Sequence, residues 1–197
     1  HEWVECGIAA ALAGLGRRLI GLDARGHGRS DTPHDTRFYG GDLMARDMME
    51  LVTGLGLQSY DLAGYSMGGG IAASVAAQDS RVRRVVISGI GEAIVTGKRP
   101  FRTAALAAAF RADSEDGLND MERNMRRGAM LRNNDLLALA AHCEVVTFDP
   151  IDIGAITAET LVLAGGTDPL AQHPEFIANA IDRARLAIVP GDHWHSR

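Results

Sequence analysis

The sequence predicts an α/β protein with a mostly parallel sheet, helices on both faces and one short helical insertion. Three observations carry that expectation. Short, continuous apolar runs alternate with helical stripes along much of the chain, and strands that are apolar throughout belong to parallel sheets covered on both sides. The segment Gly64-Tyr65-Ser66-Met67-Gly68-Gly69 stands between one such run and a helix of small residues. From about Gly91 to Ile156 the alternation stops, and helical stretches follow one another without a β-branched strand between them.

Taken in order, Glu2 to Leu15 places Val4, Ile8, Ala11, Leu12 and Leu15 on one helical stripe, which Gly14 and Gly16 close. Arg18 to Leu22 reads as a short buried strand. The loop from Asp23 to Pro33 follows, and its glycines and proline rule out regular structure. Met44, Met48, Leu51, Val52 and Leu55 recur at helical spacing, which makes the methionines core filler rather than ligands. Tyr60 to Ala63 is the next strand, Gly70 to Ala77 a helix, and Val82 to Ile87 a further strand. Within the insertion, helical stretches run from Thr103 to Arg111, Leu118 to Met130 and Asp135 to His142. Alternation resumes with a strand at Thr160 to Ala164, a helix from Pro174 to Arg183 and a strand from Arg185 to Val189. The expected organisation is a core of residues 1–90 and 157–197 with a helical cap at 91–156.

The chain has 197 residues, 46% of them apolar, enough for one domain with a sizeable core. Its formal charge of −5 argues against a nucleic-acid partner, which would require a basic surface. The clusters Arg81, Arg83, Arg84 and Arg123, Arg126, Arg127 read as solvated faces of a turn and a helix. Cys6 and Cys143 lie far apart without CxxC spacing, so they are expected as buried thiols, with neither a disulfide framework nor a zinc site. No apolar stretch approaches the roughly 18 residues that cross a bilayer. The expected compartment is the cytoplasm, with no membrane partner.

A serine in a strained strand-to-helix turn calls for glycine two residues before and two after, where side chains would meet the adjoining strand and helix. Four segments carry a resemblance to the α/β-hydrolase family over nearly the whole chain. The loop Asp23-Ala24-Arg25-Gly26-His27-Gly28-Arg29-Ser30 resembles the family's segment after its fourth strand, and Gly64 to Gly69 resembles its nucleophile elbow. Gly165-Gly166-Thr167-Asp168 resembles the acid turn, and Pro190-Gly191-Asp192-His193 the histidine loop. The order Ser66, Asp168, His193 distinguishes this family from other serine triads.

The resemblance implies Ser66 as nucleophile, His193 as its base and Asp168 as the carboxylate that orients the imidazole. The chemistry needs these types in any case: serine must lose its proton during attack, and the imidazole needs a buried carboxylate on its other nitrogen. The Met67 amide, at a helix start, can donate to a developing oxyanion, and Tyr65 and Met67 are expected to flank the acyl pocket. Alternatives remain within the same loops. Asp192 is the rival acid, although neighbouring side chains usually diverge, and His195 is the rival histidine. Asp192, His193 and His195 together could form a metal site, but no supporting framework accompanies them. His27 is expected near the site rim as a hydrogen-bonded structural histidine, and His142 as a surface or packing residue. Gly68-Gly69-Gly70 lacks the residues of a phosphate cradle and the spacing of a dinucleotide site, so no cofactor is expected.

In the family a second oxyanion donor comes from a loop after the third strand. The resemblance places that loop, and strands one to three, ahead of His1, and the last helix after His193. The expectation is therefore a shortened hydrolase with either a gap beside Tyr60 to Ala63 or direct closure of Arg18 to Leu22 onto that strand. The expected function is hydrolysis of a small-molecule ester or lactone through an acyl-serine. The alternatives are a small-molecule-binding protein with slow or no turnover, and an inactive piece of a longer hydrolase. The few aromatics of the insertion, Phe101, Phe110 and Phe148, weakly favour a small or flexible substrate.

Overall fold

The structure, a computed structural model, describes residues 2–97, 103–145 and 150–193. Four strands form one sheet in the order β1-β2-β3-β4: β1 Tyr60–Tyr65, β2 Val82–Ser88, β3 Glu159–Gly165 and β4 Ala184–Val189. All three pairings are parallel. The alternation therefore reads as expected: α3 (Leu43–Gly54) precedes β1, α4 (Met67–Gln78) joins β1 to β2, and α9 (Glu175–Ala180) joins β3 to β4. Between β2 and β3 come α5 (Ala93–Thr96), α6 (Thr103–Arg111), α7 (Asp120–Leu131) and α8 (Leu136–Val145). Phe101, Phe148 and His195 lie outside the described residues.

Helices flank the sheet, but the cover is unequal. On one face Val85, Ile87 and Val162 are fully buried against Ala45 and Val52 of α3, Ala72, Ala73, Val75 and Ala76 of α4, and Ile177 of α9. Small residues let α4 lie close to the strands, so shape complementarity rather than side-chain bulk makes this contact. The other face carries a charged row in register, Asp61, Arg84 and Glu159. Arg84 reaches Glu159 at 3.1 Å and Arg83 reaches Asp61 at 3.1 Å. Leu161 on that face remains 36% exposed.

Several sequence expectations change. The predicted N-terminal helix is two pieces, α1 (Glu2–Glu5) and α2 (Ile8–Gly14), broken where Gly7 turns left-handed at φ 81°. Its apolar stripe meets no core: Val4 is 70% exposed. Arg18 to Leu22 is not a strand, and its leucines and isoleucine stay exposed. A strand needs a ladder partner, and among the described residues none pairs with this segment or with the outer edge of β1. Neither closure of the sheet onto β1 nor a strand in that position is seen. Cys6 is exposed, whereas Cys143 is buried as expected. Arg126 is buried rather than solvated, because its guanidinium donates to the carbonyls of Ala109 and Phe110 at 2.9 Å, tying α7 to the end of α6. Both carbonyls lie in the last turn of α6, where that of Ala109 also accepts from the Ala112 amide at 3.4 Å, and together they compensate the buried cation.

The entry to β1 is fastened by a buried carboxylate. Asp79 accepts from the Tyr60 hydroxyl at 2.9 Å, from the Arg81 amide at 3.0 Å and from Arg81 Nε at 2.9 Å. Arg81 holds its pKa below the usual carboxylate range, with Tyr60 adding to the effect. The folded state thus binds its proton more weakly than the unfolded chain, and the stabilisation is present at neutral pH and lost as pH falls through the depressed folded value. Asp79→Ala should cost about 2–3 kcal/mol at neutral pH. Urea denaturation should show the gap between wild type and variant narrowing as pH is lowered below the ordinary carboxylate range.

Candidate active site

Ser66 sits between the last residue of β1 and the first of α4, with φ 54° and ψ −120°. A positive φ at a non-glycine residue costs on the order of 1–3 kcal/mol and persists only where neighbours fix it. Here the Ser66 amide donates to the Ser88 carbonyl of β2 at 2.8 Å, and the Ser66 carbonyl accepts from the Gly69 amide at 2.8 Å. Of the glycines expected to permit the turn, Gly64 is required, since a Cβ there would lie 1.9 Å from the Gly68 carbonyl oxygen. Gly68 is not required. A Cβ on it would meet nothing within 4 Å, because the residue faces an open cavity, whereas one on Gly69 would lie 2.6 Å from the Ser88 carbonyl oxygen. Close approach of helix to strand is therefore needed at Gly64 and Gly69.

The structure brings Ser66, Asp168 and His193 together. His193 Nε2 lies 2.9 Å from Ser66 Oγ, and its Nδ1 lies 2.9 and 3.0 Å from the two Asp168 oxygens. An ionised carboxylate can only accept, so Nδ1 carries the proton and Nε2 turns a lone pair toward the serine hydroxyl. Asp168 and His193 are buried, at 6% and 5% exposure, where a hydrogen bond is electrostatically stronger than in water. Asp168 follows β3 and accepts at Oδ1 from the Leu170 and Ala171 amides at 2.8 and 3.2 Å. These amides aim the carboxylate, a role the sequence could only suggest through Pro169. Asp168, not Asp192, occupies the acid position beside His193.

Around this group, Met67 begins α4 and packs with Tyr39, Met44, Ala138 and Ala141. The Tyr65 hydroxyl donates to the His193 carbonyl, and its ring lies against the imidazole with centroids 5.2 Å apart. This link was not legible in the sequence. Gly89, directly after β2, makes room for it, and a glycine at a strand end was the available signal. Its φ is 67°, and a Cβ would lie 2.8 Å from the Tyr65 ring.

The loop after Asp23 is fastened from several sides. Arg25 Nε donates to Asp47 at 2.7 Å, and the Tyr39 hydroxyl donates to the Pro33 carbonyl at 2.7 Å. His27 Nδ1 lies 3.1 Å from the Arg25 carbonyl, and burial pushes its pKa down, so the ring is a neutral donor there. His142 is buried on α8, edge-on to His27 at 6.1 Å and against Tyr39 at 5.7 Å. An open space of about 2840 Å³ runs from Ser66 and His193 past His27 and His142 to the outer side of β1 and Leu19. It is well above the roughly 300–1,000 Å³ of a ligand pocket, so its volume sets no substrate size. Among the described residues no three His, Cys, Asp or Glu side chains could hold a metal ion.

The family model for the alpha/beta hydrolase fold matches residues 1–127. The chain belongs to that family. It is 33% identical over 214 residues to the 2-hydroxymuconate semialdehyde hydrolase of Pseudomonas sp. (strain CF600), covering 98% of this chain and 75% of that protein. Against the AB hydrolase superfamily protein YisY of Bacillus subtilis it is 47% identical over 57 residues, spanning 29% of this chain and only 20% of that relative. A hydrolase from Pseudomonas aeruginosa PA01 superposes with TM-score 0.75 at 26% identity, over 98% of this chain and 78% of the other. The enol-lactonase from Burkholderia xenovorans LB400 gives TM-score 0.68 at 25% identity, over 86% and 71%.

The turn geometry separates two substitutions that the motif treats alike. Gly64→Ala should fail to fold or lose more than about 3 kcal/mol, since the clash is with backbone. Gly68→Ala should stay within about 1 kcal/mol of wild type, or gain, because alanine favours the helix. Urea denaturation of the two variants side by side checks this.

Proposed function

We propose that the chain is a serine hydrolase that cleaves small carboxylic esters or lactones through an acyl-serine intermediate. The observation that carries this reading is the single imidazole bridging Ser66 Oγ and the buried Asp168 carboxylate, with every heavy-atom distance between 2.9 and 3.0 Å. His193 Nε2 takes the Ser66 proton as Oγ attacks the carbonyl carbon, and Asp168 stabilises the imidazolium that forms. The carbonyl oxygen becomes an oxyanion, for which the Met67 amide is the donor. As the first residue of α4 it has no intrahelical acceptor, and the helix dipole adds to its effect. Collapse breaks the bond to the leaving oxygen, which receives the proton from His193. Water, deprotonated by His193, then attacks the acyl-serine, and Ser66 recovers its proton as the acid leaves.

Residues 91–156 act in this reading as a cap beside the pocket. Its α8 supports the turn, since Ala138 and Ala141 pack with Tyr39, Met44 and Met67. The loop carrying Asn133 and Asn134 meets the Asp23 loop through the Gly28 amide, which donates to Asn134 at 3.2 Å. An ester or lactone substrate is in keeping with the enol-lactonase likeness, and the chemistry needs no cofactor.

Steady-state hydrolysis of a short nitrophenyl ester tests the proposal. Ser66→Ala and His193→Ala should each lower kcat by a thousandfold or more, and Asp168→Asn on the order of ten-thousandfold, with the chain still folded. Unchanged turnover in Ser66→Ala would refute it. Tight binding of the ester with at most one slow turnover in the wild type would instead favour a small-molecule-binding protein that keeps the three residues.

A further inference from the structure

We propose that Tyr65 is a positioning residue for His193, its phenol bracing the histidine loop from the nucleophile side of the sheet. The inference rests on the hydrolase reading above and extends it to a residue outside the reacting group.

The need for such a brace follows from the strand order. β1 and β4 are the two edges of the four-stranded sheet, so three strand spacings, about 14 Å, separate the strand bearing Ser66 from the strand feeding His193. The loop after β4 must therefore return over β3 and β2 to place the imidazole on Ser66. Its base is held at β3, where the Gly166 amide donates to Val189 at 2.8 Å and the Thr167 amide to Gly191 at 3.1 Å. Both contacts fix the loop relative to Asp168. The bond from the Tyr65 hydroxyl to the His193 carbonyl fixes it relative to Ser66.

The phenol is built into that role. Tyr65 is the last residue of β1, in register with Ser88, and adjoins Ser66 in the chain. Its ring crosses the end of β2 over Gly89, where a Cβ would also lie 3.2 Å from the Ser66 amide nitrogen. The ring is tilted 37° to the imidazole plane, so it supports the side chain while its hydroxyl holds the backbone. Proton transfer needs a heavy-atom separation of about 2.6–3.2 Å, and errors near 1 Å can cost on the order of a hundredfold in rate.

Tyr65→Phe keeps the ring and removes the hydroxyl. It should lower kcat about tenfold to a hundredfold, with KM within about twofold and urea stability close to wild type. Gly89→Ala, which leaves the hydroxyl but displaces the ring, should lower kcat in the same way with KM little changed, though with reduced urea stability because alanine is strained at this positive φ, and the double variant should have a kcat no lower than the poorer single one. A readout free of turnover accompanies the kinetics: the downfield NMR resonance of the His193 ring proton bonded to Asp168, recorded in a Ser66→Ala background. Tyr65→Phe should broaden it and speed its exchange. An unchanged kcat and an unchanged resonance would overturn the proposal, as would a rise in KM alone, which would make Tyr65 a substrate contact. If the wild type hydrolyses no ester yet the resonance responds to Tyr65→Phe, the hydrolase reading fails and the positioning role stands.

Discussion

Parallel register is the constraint on which the site depends. β1 to β4 run the same way and end within two residues of one another: Tyr65 aligns with Ser88, Ser88 with Leu163, and Gly165 with Val189. The segments that follow β1, β3 and β4 therefore leave the sheet on one side, and residues as far apart as Ser66 and His193 meet there. A parallel connection needs a crossover, and α4 and α9 supply two of the three. The third, between β2 and β3, is long enough to hold α5 to α8 and lies on the same side as the serine turn. Fold and site are thus one consequence of the strand direction.

The strain at Ser66 makes the register matter energetically. The turn keeps its unusual backbone only while the Ser66 amide is bonded to β2 and α4 lies close against β1 and β2. The insertion contributes from above, through Ala138 and Ala141 near Met67. It is also joined to the acid loop: a Cβ on Gly91 would lie 1.8 Å from the Gln172 carbonyl oxygen, which accepts from the Glu92 amide at 2.8 Å. Ordering of the serine turn, the acid loop and the helical insertion is therefore shared, and a disturbance in one is felt at the imidazole between them.

Much of this was legible in the residues. Continuous apolar runs gave the four strands to within a residue or two, and the helices of the insertion follow Ala-rich and amphipathic stretches. The three candidate residues Ser66, Asp168 and His193 stood out because the chemistry restricts their types and strand ends restrict their places. What was not legible depends on partners distant in sequence. Arg18 to Leu22 has strand composition, but a ladder requires a neighbour, and none pairs with it among the described residues. Arg126 looks like a surface cation until the carbonyls of Ala109 and Phe110 are placed beside it. Gly68 looks obligatory from motif spacing, whereas the steric demand falls on Gly69, which only the approach of Ser88 reveals. The reach of Tyr65 to the His193 backbone depends on strand order, which no local pattern encodes.

The central claim is that Ser66, His193 and Asp168 form one nucleophilic unit. Intact-mass analysis after exposure to a fluorophosphonate tests it most directly, since the probe reacts with a serine only when a base activates it. The account predicts one label per chain, located on Ser66 by peptide mapping and abolished by His193→Ala. A folded chain that takes up no label, or one labelled as fast without His193, would contradict it.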